Sequence, residues 1–126
     1  MNIHEAARMH LLNYPDIQEL VGQRIYWRRK PENMKETCIS FFRVSHNKDT
    51  EIDRYTSRFQ FDVWSTSGAE ALAVAELVEK AFDRFKGLMG EKPVKQGRFS
   101  NMQEFYEEDT GIYHIPVDVI FHYYEY

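Results

Sequence analysis

Cysteine is almost absent from this sequence. Cys38 is the only cysteine among 126 residues, so the chain can form no intrachain disulfide and no cysteine-based zinc site. This usage favours a cytoplasmic setting, where thiols stay reduced. Cys38 also lies in a predicted strand with no base evident beside it, which favours an inert, partly buried thiol over a nucleophile.

Long apolar runs are absent as well. No stretch is apolar for long enough to span a bilayer. The first eight residues, MNIHEAAR, lack the order of a signal peptide, in which a charged segment precedes an apolar block. We therefore expect a protein that stays in the compartment where it is made and has no membrane contact.

An excess of positive charge is missing too. The formal net charge is −4 and the isoelectric point is near 5.7, which argues against a protein that holds nucleic acid by its overall field. A local basic patch is compatible with this balance. The length and the 43% hydrophobic content suit one domain over residues 1–126, with a core of one sheet and its helices.

The strongest pattern that is present covers residues 54–65, where apolar and polar side chains alternate. One face would carry Tyr55, Ser57, Phe59, Phe61 and Val63, and the other Arg54, Thr56, Arg58, Gln60 and Asp62. Alternation of this kind predicts a strand in a sheet with one dry side.

A helix is predicted directly after this strand, within residues 67–89. Ser67 and Glu70 have the spacing of a capping box, in which each side chain accepts from the backbone amide of the other residue. Apolar residues then recur at three- and four-residue spacing at Ala71, Val74, Ala75, Val78, Ala81, Phe82 and Phe85. This long helix is expected to cover the dry side of the sheet.

Weaker patterns predict the remaining elements. We expect helices over 3–12 and 17–21, and strands over 23–29, 37–46, about 99–106 and 113–123. The polar residues 45–50 predict the mobile tip of an antiparallel hairpin. Because Pro116 has no amide hydrogen for a ladder, the last strand is expected at an edge or a bulge.

The predicted fold class is therefore α+β. It has an antiparallel or mixed sheet of about four to five strands, with a long helix packed on one face and a short N-terminal helix.

No catalytic residue, metal ligand or cofactor is predicted. His114 and His122 share a strand face, but four-residue steps of a strand are about 13 Å long, too far for common ligation of a metal ion. Surface histidines are favoured instead. The acidic run 107–109 favours a solvated turn over a calcium loop, and no phosphate-binding glycine loop or nucleophile elbow is present.

Residues 24–30 interleave aromatic and basic side chains, a composition suited to base stacking combined with phosphate neutralisation. The alternative is a strand whose cations face water and the acidic groups of the protein itself. The net acidity favours this second interpretation.

The C-terminal residues 121–126, FHYYEY, place rings on both faces of the last strand. Some of these tyrosines are expected to meet another chain, because a small sheet cannot easily bury both faces. Half-exposed tyrosines of an isolated subunit are an equally good explanation.

The order of three segments resembles a known family. VGQRIY at 21–26 follows an N-terminal helix, FQFDVWS at 59–65 leads into an alanine-rich helix, and DTGIYH at 109–114 precedes the closing strand. In this order and spacing they resemble the tail completion proteins of tailed bacteriophages and prophages. The family often has a proline-rich segment after Arg-Ile-Tyr, whereas only Pro31 occupies that place here.

The resemblance implies an α+β subunit, similar to tail terminator proteins, without catalytic residues. Such subunits assemble as a ring, expected to hold six copies, at the head-proximal end of the tail tube. The ring stops tube polymerisation and joins the tail to the head. Its implied partners are further copies of itself, the tail tube protein and the head-completion protein, while DNA passes through the lumen without specific binding. The implied location is the host bacterial cytoplasm during assembly and then the virion tail.

Three segments are predicted to form the contact surfaces of this assembly. They comprise Tyr26, Trp27, Arg28, Arg29, Lys30, His46, Asn47, Lys48, Asp49, Tyr123, Tyr124 and Tyr126. A small nucleic-acid-binding module that uses Arg24–Lys30 is the alternative function.

Overall fold

A computed structural model describes residues 1–124 and shows a mixed α+β fold. Its three helices are α1 (Ile3–Leu12), α2 (Pro15–Val21) and α3 (Gly68–Phe82). Its strands are β1 (Ile25–Trp27), β2 (Cys38–Asp49), β3 (Arg54–Ser65), β4 (Gly87–Met89), β5 (Lys92–Met102), β6 (Phe105–Glu107) and β7 (Ile112–Tyr124).

The strands form one sheet in the order β1-β2-β3-β7-β5-β4, and β6 also pairs with β7. Only β1 runs parallel to its neighbour, β2; the other pairs are antiparallel. The described residues thus contain seven strands, and the prediction of four to five was too low. The difference comes mainly from three-residue strands, which are too short to show a periodic pattern.

The alternation predicted for residues 54–65 is confirmed. Ser57, Phe59, Phe61 and Val63 are completely buried, and α3 lies over this face, in contact with β3, β7 and β5. We call this side of the sheet the covered face, and the other side the open face. Removing the side chains of Phe59, Phe61 and Val63 from water stabilises the subunit by roughly 1.5 to 3 kcal/mol each.

Helix α3 begins as predicted but ends earlier. The Ser67 hydroxyl accepts from the amide of Glu70 at 3.2 Å, whereas the amide of Ser67 donates to Ser65 rather than to the Glu70 carboxylate. Only half of the predicted capping box is therefore formed. The helix ends at Phe82, because Arg84 takes a left-handed backbone conformation with a φ of 62° and the chain turns onto β5.

Strand β7 lies in the interior of the sheet, between β3 and β5, so the edge position was wrong. The predicted alternative was a bulge, and the ladder with β5 has one between Phe99 and Asn101, opposite Val119 and Asp118.

Pro116 is tolerated because β5 ends at Met102 and β6 begins only at Phe105. The carbonyl of Pro116 accepts from Gln103 in this gap. A residue of an antiparallel strand points its nitrogen and its carbonyl to the same side, so the missing amide hydrogen falls where no regular partner strand requires it.

Helix α1 contacts both β1 and β4, the two ends of the strand order. The sheet is therefore curled around the N-terminal helix. His4 of α1 stacks on Trp27 of β1, with ring centroids 3.9 Å apart. At the other side, Met1 and Met9 lie against Gly90, which directly follows β4.

Other boundaries also differ from the prediction. Strand β1 is only three residues long, and β5 starts at Lys92 rather than near Phe99. Strand β2 continues to Asp49, through residues predicted as a loop, and contains a bulge between Arg43 and Ser45. The sequence did not predict this extension of β2, because the outer half of the strand has no buried face and its polar side chains give no alternating pattern.

Candidate partner-binding surfaces

The first predicted surface, Tyr26–Lys30, is divided between the two faces of the sheet. Trp27 points to the covered face, between His4 and Phe41, whose ring centroids lie 3.9 and 5.1 Å away. The stacking platform required by the nucleic-acid hypothesis is thus already used within the chain. Tyr26 lies on the open face, where its hydroxyl contacts the Met34 sulfur at 3.8 Å.

The three cations of this segment lead into the loop that follows β1. Arg28 and Arg29 are exposed, and Arg28 takes a left-handed conformation with a φ of 75°. Lys30 is partly buried, and its ammonium lies 5.2 Å from the centre of the Trp64 ring. A cation over an indole face is a favourable arrangement, so Lys30 is held against the open face.

The second predicted surface lies in the outer half of β2, which pairs with the part of β3 that is itself paired with β7 as far as Arg54. All residues of 44–53 are exposed, and we call this segment the distal arm. It contains Asn47, Lys48 and Asp49 of the predicted surface. Because β1 pairs only with residues 39–41 of β2, the outer edge of the arm faces away from every other described strand. Val44 and Ile52 are each half exposed on the arm.

At the base of the arm, His46 joins a polar and aromatic cluster. Its Nδ1 lies 2.7 Å from the Ser57 hydroxyl, which in turn lies 3.0 Å from the Tyr123 hydroxyl. His46 also stacks on Tyr55 at 5.2 Å between ring centroids. A cavity of about 270 Å³ opens here, with Arg43 at its wall.

One residue of the third predicted surface, Tyr123, is internal. Tyr123 is only 2% exposed and belongs to the core, so its ring is not a free contact surface in the subunit. Tyr124 is partly buried, and Tyr126 lies outside the described residues. The alternating pattern had predicted that one face of this strand is buried, and Tyr123 continues that face.

On the open face, charged side chains of β3 form ion pairs and hydrogen bonds with side chains of the neighbouring strand β7. Arg58 makes a bidentate ion pair with Asp118, with two contacts at 2.8 and 2.9 Å. His114 lies 2.8 Å from Asp62 and stacks on Trp64 at 3.9 Å between ring centroids. The histidines predicted as surface groups are thus half-buried and hydrogen-bonded; His122 lies 2.9 Å from the Thr56 hydroxyl.

A groove of about 360 Å³ lies at the end of the open face farthest from the arm. One lip is the loop with Lys30 and Lys35, and the other is the turn with Glu107 and Asp109. Trp64 lines the groove and is fixed by its indole nitrogen, which donates to Ser40 at 2.9 Å. The sequence showed the basic and the acidic segments separately, but gave no signal that they face each other across a groove.

The hairpin of β6 and β7 adds an aromatic surface that the sequence analysis missed. Phe105 and Tyr106 are 48% and 52% exposed, and Tyr113 is 36% exposed. Tyr106 and Tyr113 contact each other across the two strands, with ring centroids 4.7 Å apart. In the sequence, Phe105 and Tyr106 precede the acidic turn and Tyr113 follows it. This placement could have predicted an aromatic hairpin here.

Cys38 is completely buried on the open face, beneath the loop after β1. Burial raises the pKa of its thiol to about 11, against a small opposing effect of Lys30 and Arg24. Among residues 1–124, no cluster of three or more histidine, cysteine or carboxylate side chains could hold a metal ion. No helix in this range is long and apolar enough to cross a membrane.

Exposed aromatic side chains are enriched in protein–protein interfaces, so the hairpin of β6 and β7 and the neighbouring groove are candidate contact surfaces. The family model for tail completion protein gp17 matches residues 5–124. The chain therefore belongs to the tail completion family, whose members are structural proteins of phage tails.

A solved structure with the same fold comes from a virion. A chain of the "Virion of native gene transfer agent (GTA) particle" superposes with a TM-score of 0.77 at 16% sequence identity. The alignment covers 96% of this chain and 93% of the other. A search of curated protein sequences finds no match.

Proposed function

We propose that this protein forms a ring at the head-proximal end of the tail tube, stops tube polymerisation and joins the tail to the head. Its partners are other copies of itself, expected to number six in a ring, together with the tail tube protein and the head-completion protein. The subunit acts in the host bacterial cytoplasm during assembly and then as a part of the virion tail. The proposal contains no catalytic step.

The distal arm is the observation that carries this proposal. Ten consecutive residues, 44–53, are exposed, although β2 and β3 continue through this region as a paired hairpin. Ordering such a segment costs conformational entropy, and no side chain of residues 44–53 is buried in return, although His46 stacks on Tyr55. Val44 and Ile52, each half exposed, are therefore available to a neighbouring chain.

The candidate surfaces also differ from one another in shape and chemistry. The arm is exposed, the groove is concave, and the aromatic hairpin of β6 and β7 lies at the same end of the sheet as the groove. Contacts between different surfaces of successive copies are heterologous, and such contacts close into a ring when the rotation between copies permits it.

The net charge of −4 fits a ring through which DNA passes without binding. Exposed acidic groups repel the phosphate backbone and keep the non-specific affinity low. Trp27, which stacks within the chain on His4, does not offer a platform for bases.

The test is to measure the assembly of the purified protein by light scattering, alone and with tail tubes of the same particle. We expect a closed oligomer of uniform mass and, by electron microscopy, a ring on one end of each tube. Tubes of fixed length that no longer grow after addition of the protein would support termination. A strictly monomeric protein that never binds a tube end would refute the proposal.

A further inference from the structure

We propose that the tip of the distal arm of one copy binds in the open-face groove of the next copy, with Ile52 against Trp64. This inference rests on the proposed ring and specifies the contact between its successive subunits. The occupant of the groove is thus a second copy of this chain.

The groove offers an apolar wall between two charged lips. Trp64 and Ile112 line it, and Trp64 is kept in place by its hydrogen bond to Ser40 and by stacking on His114. His114 and Lys30 cover the faces of the indole, so its partly exposed edge and Ile112 are the apolar surface that can receive one exposed aliphatic residue. The ammonium of Lys30 lies over the indole, where it is positioned to meet an incoming carboxylate.

The arm tip has the matching pattern. Ile52 is 50% exposed and stands between Glu51 and Asp53. Lys48 lies beside them, with its ammonium 3.2 Å from the Asp53 carboxylate. Arg54 lies 3.7 Å from Asp49 on the other side. The tip is therefore an aliphatic residue flanked by carboxylates, with a cation at each side.

The charges of the two surfaces are complementary. Residues 48–53 contain three carboxylates and one ammonium, whereas the loop 28–37 contains four cations, Arg28, Arg29, Lys30 and Lys35, and two carboxylates, Glu32 and Glu36. In the proposed contact Glu51 and Asp53 face the basic lip, and Lys48 leaves Asp53 to face Glu107 and Asp109 on the acidic lip. The reversed orientation would place like charges opposite each other, so the charges select one direction of docking of the tip in the groove.

The geometry makes the contact intermolecular. Trp64 lies near the end of β3 and Arg54, next to the tip, lies at its start. Ten residues of strand separate the two positions, which corresponds to about 33 Å. The arm therefore cannot fold back into its own groove, and the contact joins opposite ends of successive copies.

Cysteine cross-linking tests the contact directly. A chain with Ile52→Cys is mixed with a chain with Ile112→Cys under mild oxidation, with and without tail tubes. Cys38 stays in place, because it is buried. We expect covalent dimers from this mixture and a ladder of higher oligomers from a chain that carries both substitutions. The control mixture pairs Ile52→Cys with Glu76→Cys, which is exposed on α3, and we expect at least tenfold less dimer there.

Charge exchange tests the complementarity. Glu51→Lys with Asp53→Lys should raise the concentration needed for assembly about tenfold, and Lys30→Glu with Lys35→Glu should do the same. The chain with all four substitutions should assemble as the wild type does. The control matched to the tip pair, Glu19→Lys with Glu76→Lys, makes the same change of net charge as Glu51→Lys with Asp53→Lys at exposed helical positions and should assemble normally. All variants should keep the wild-type melting curve.

The failure of the inference differs from the failure of the proposed function. Rings that cap tubes while the cysteine pair at 52 and 112 gives no more dimer than the control would overturn the inference alone. Cross-linked chains that never bind a tube end would contradict the proposed function and leave the contact standing. Loss of assembly in the four-residue exchange would also overturn the proposed charge pairing.

Discussion

Gly97 and Phe85 form a backbone hydrogen bond that joins the end of α3 to the sheet. The amide of Gly97 donates to the carbonyl oxygen of Phe85 at 2.8 Å, and the Gly97 carbonyl accepts from Arg84 at 2.8 Å. A Cβ at position 97 would overlap the carbonyl oxygen of Phe82. The helix can therefore approach β5 this closely only because residue 97 has no side chain.

Gly97→Ala should lower the free energy of unfolding by about 1 to 3 kcal/mol. The new methyl group would push the end of α3 away from β5 and weaken both hydrogen bonds. Denaturation by urea gives the change, and Ser100→Ala, exposed in the same strand, is the control. Equal stability of the glycine and alanine forms would show that the helix end is not fixed against Gly97.

Phe82→Ala should be more damaging, at about 3 to 5 kcal/mol. The Phe82 ring is fully buried and lies 4.9 Å from Phe61 and 5.1 Å from Phe121 between ring centroids. Leu88→Ala is the control, since Leu88 is 70% exposed and should change stability by less than about 0.5 kcal/mol. A melting temperature of Phe82→Ala equal to that of the wild type would contradict the described core.

Two histidines should make the subunit less stable in mild acid. Burial lowers the pKa of His4 below its ordinary value of 6.5, with Glu5 opposing this shift and Arg43 and Arg28 adding to it. Burial likewise lowers the pKa of His122. As the pH falls below 6.5, these histidines therefore bind protons in the unfolded chain before they do so in the folded protein. The stability that they contribute above pH 6.5 is lost as the pH falls towards and through their lower, folded pKa values.

The substitution His4→Phe separates the contribution of His4 to the pH dependence of stability from that of His122. Phenylalanine keeps a ring stacked on Trp27 but cannot bind a proton. Its free energy of unfolding should depend less steeply on pH between 7.5 and 5 than that of the wild type. Chemical denaturation at a series of pH values gives both curves. Parallel curves would show that His4 does not change its protonation on unfolding in this range.

Cys38 should react slowly in the folded protein. The rise of its pKa from 9.0 to about 11 lowers the thiolate fraction at pH 8 by about a hundredfold, and burial blocks access as well. The rate of reaction with a disulfide reagent should therefore increase at least tenfold in denaturant. Equal rates in the folded and unfolded protein would contradict the buried position of the thiol.

Local sequence patterns were sufficient where one face of an element is buried. The start and end of β3 agree with the alternation of residues 54–65, and Ser67 marked the start of α3. The end of α3 could not be predicted in this way, since Phe85 continues the apolar spacing of the helix. The helix ends there because Gly97, twelve residues further along the chain, offers a strand to which Arg84 and Phe85 bind.

Features that depend on distant segments were beyond the reach of the sequence. Pro116 suggested an edge strand, and only the gap between β5 and β6 explains why it is accepted in the interior of the sheet. The groove beside Trp64 is formed by residues 30–35 and 107–112, which no local pattern connects. Residues 45–50 were predicted as the mobile tip of a hairpin because the exposed outer half of β2 has no apolar period, whereas β3 opposite it keeps one, with Ser57 buried.

The position of α1 between β1 and β4 also has a consequence for the order of folding. Gly90, against which Met1 and Met9 rest, is made some eighty residues after this helix. The N-terminal helix must therefore wait, partly undocked, until most of the chain has been synthesised. Closure of the curled sheet is a late event, and a chain released before residue 90 would leave the apolar side of this helix open to chaperones and proteases.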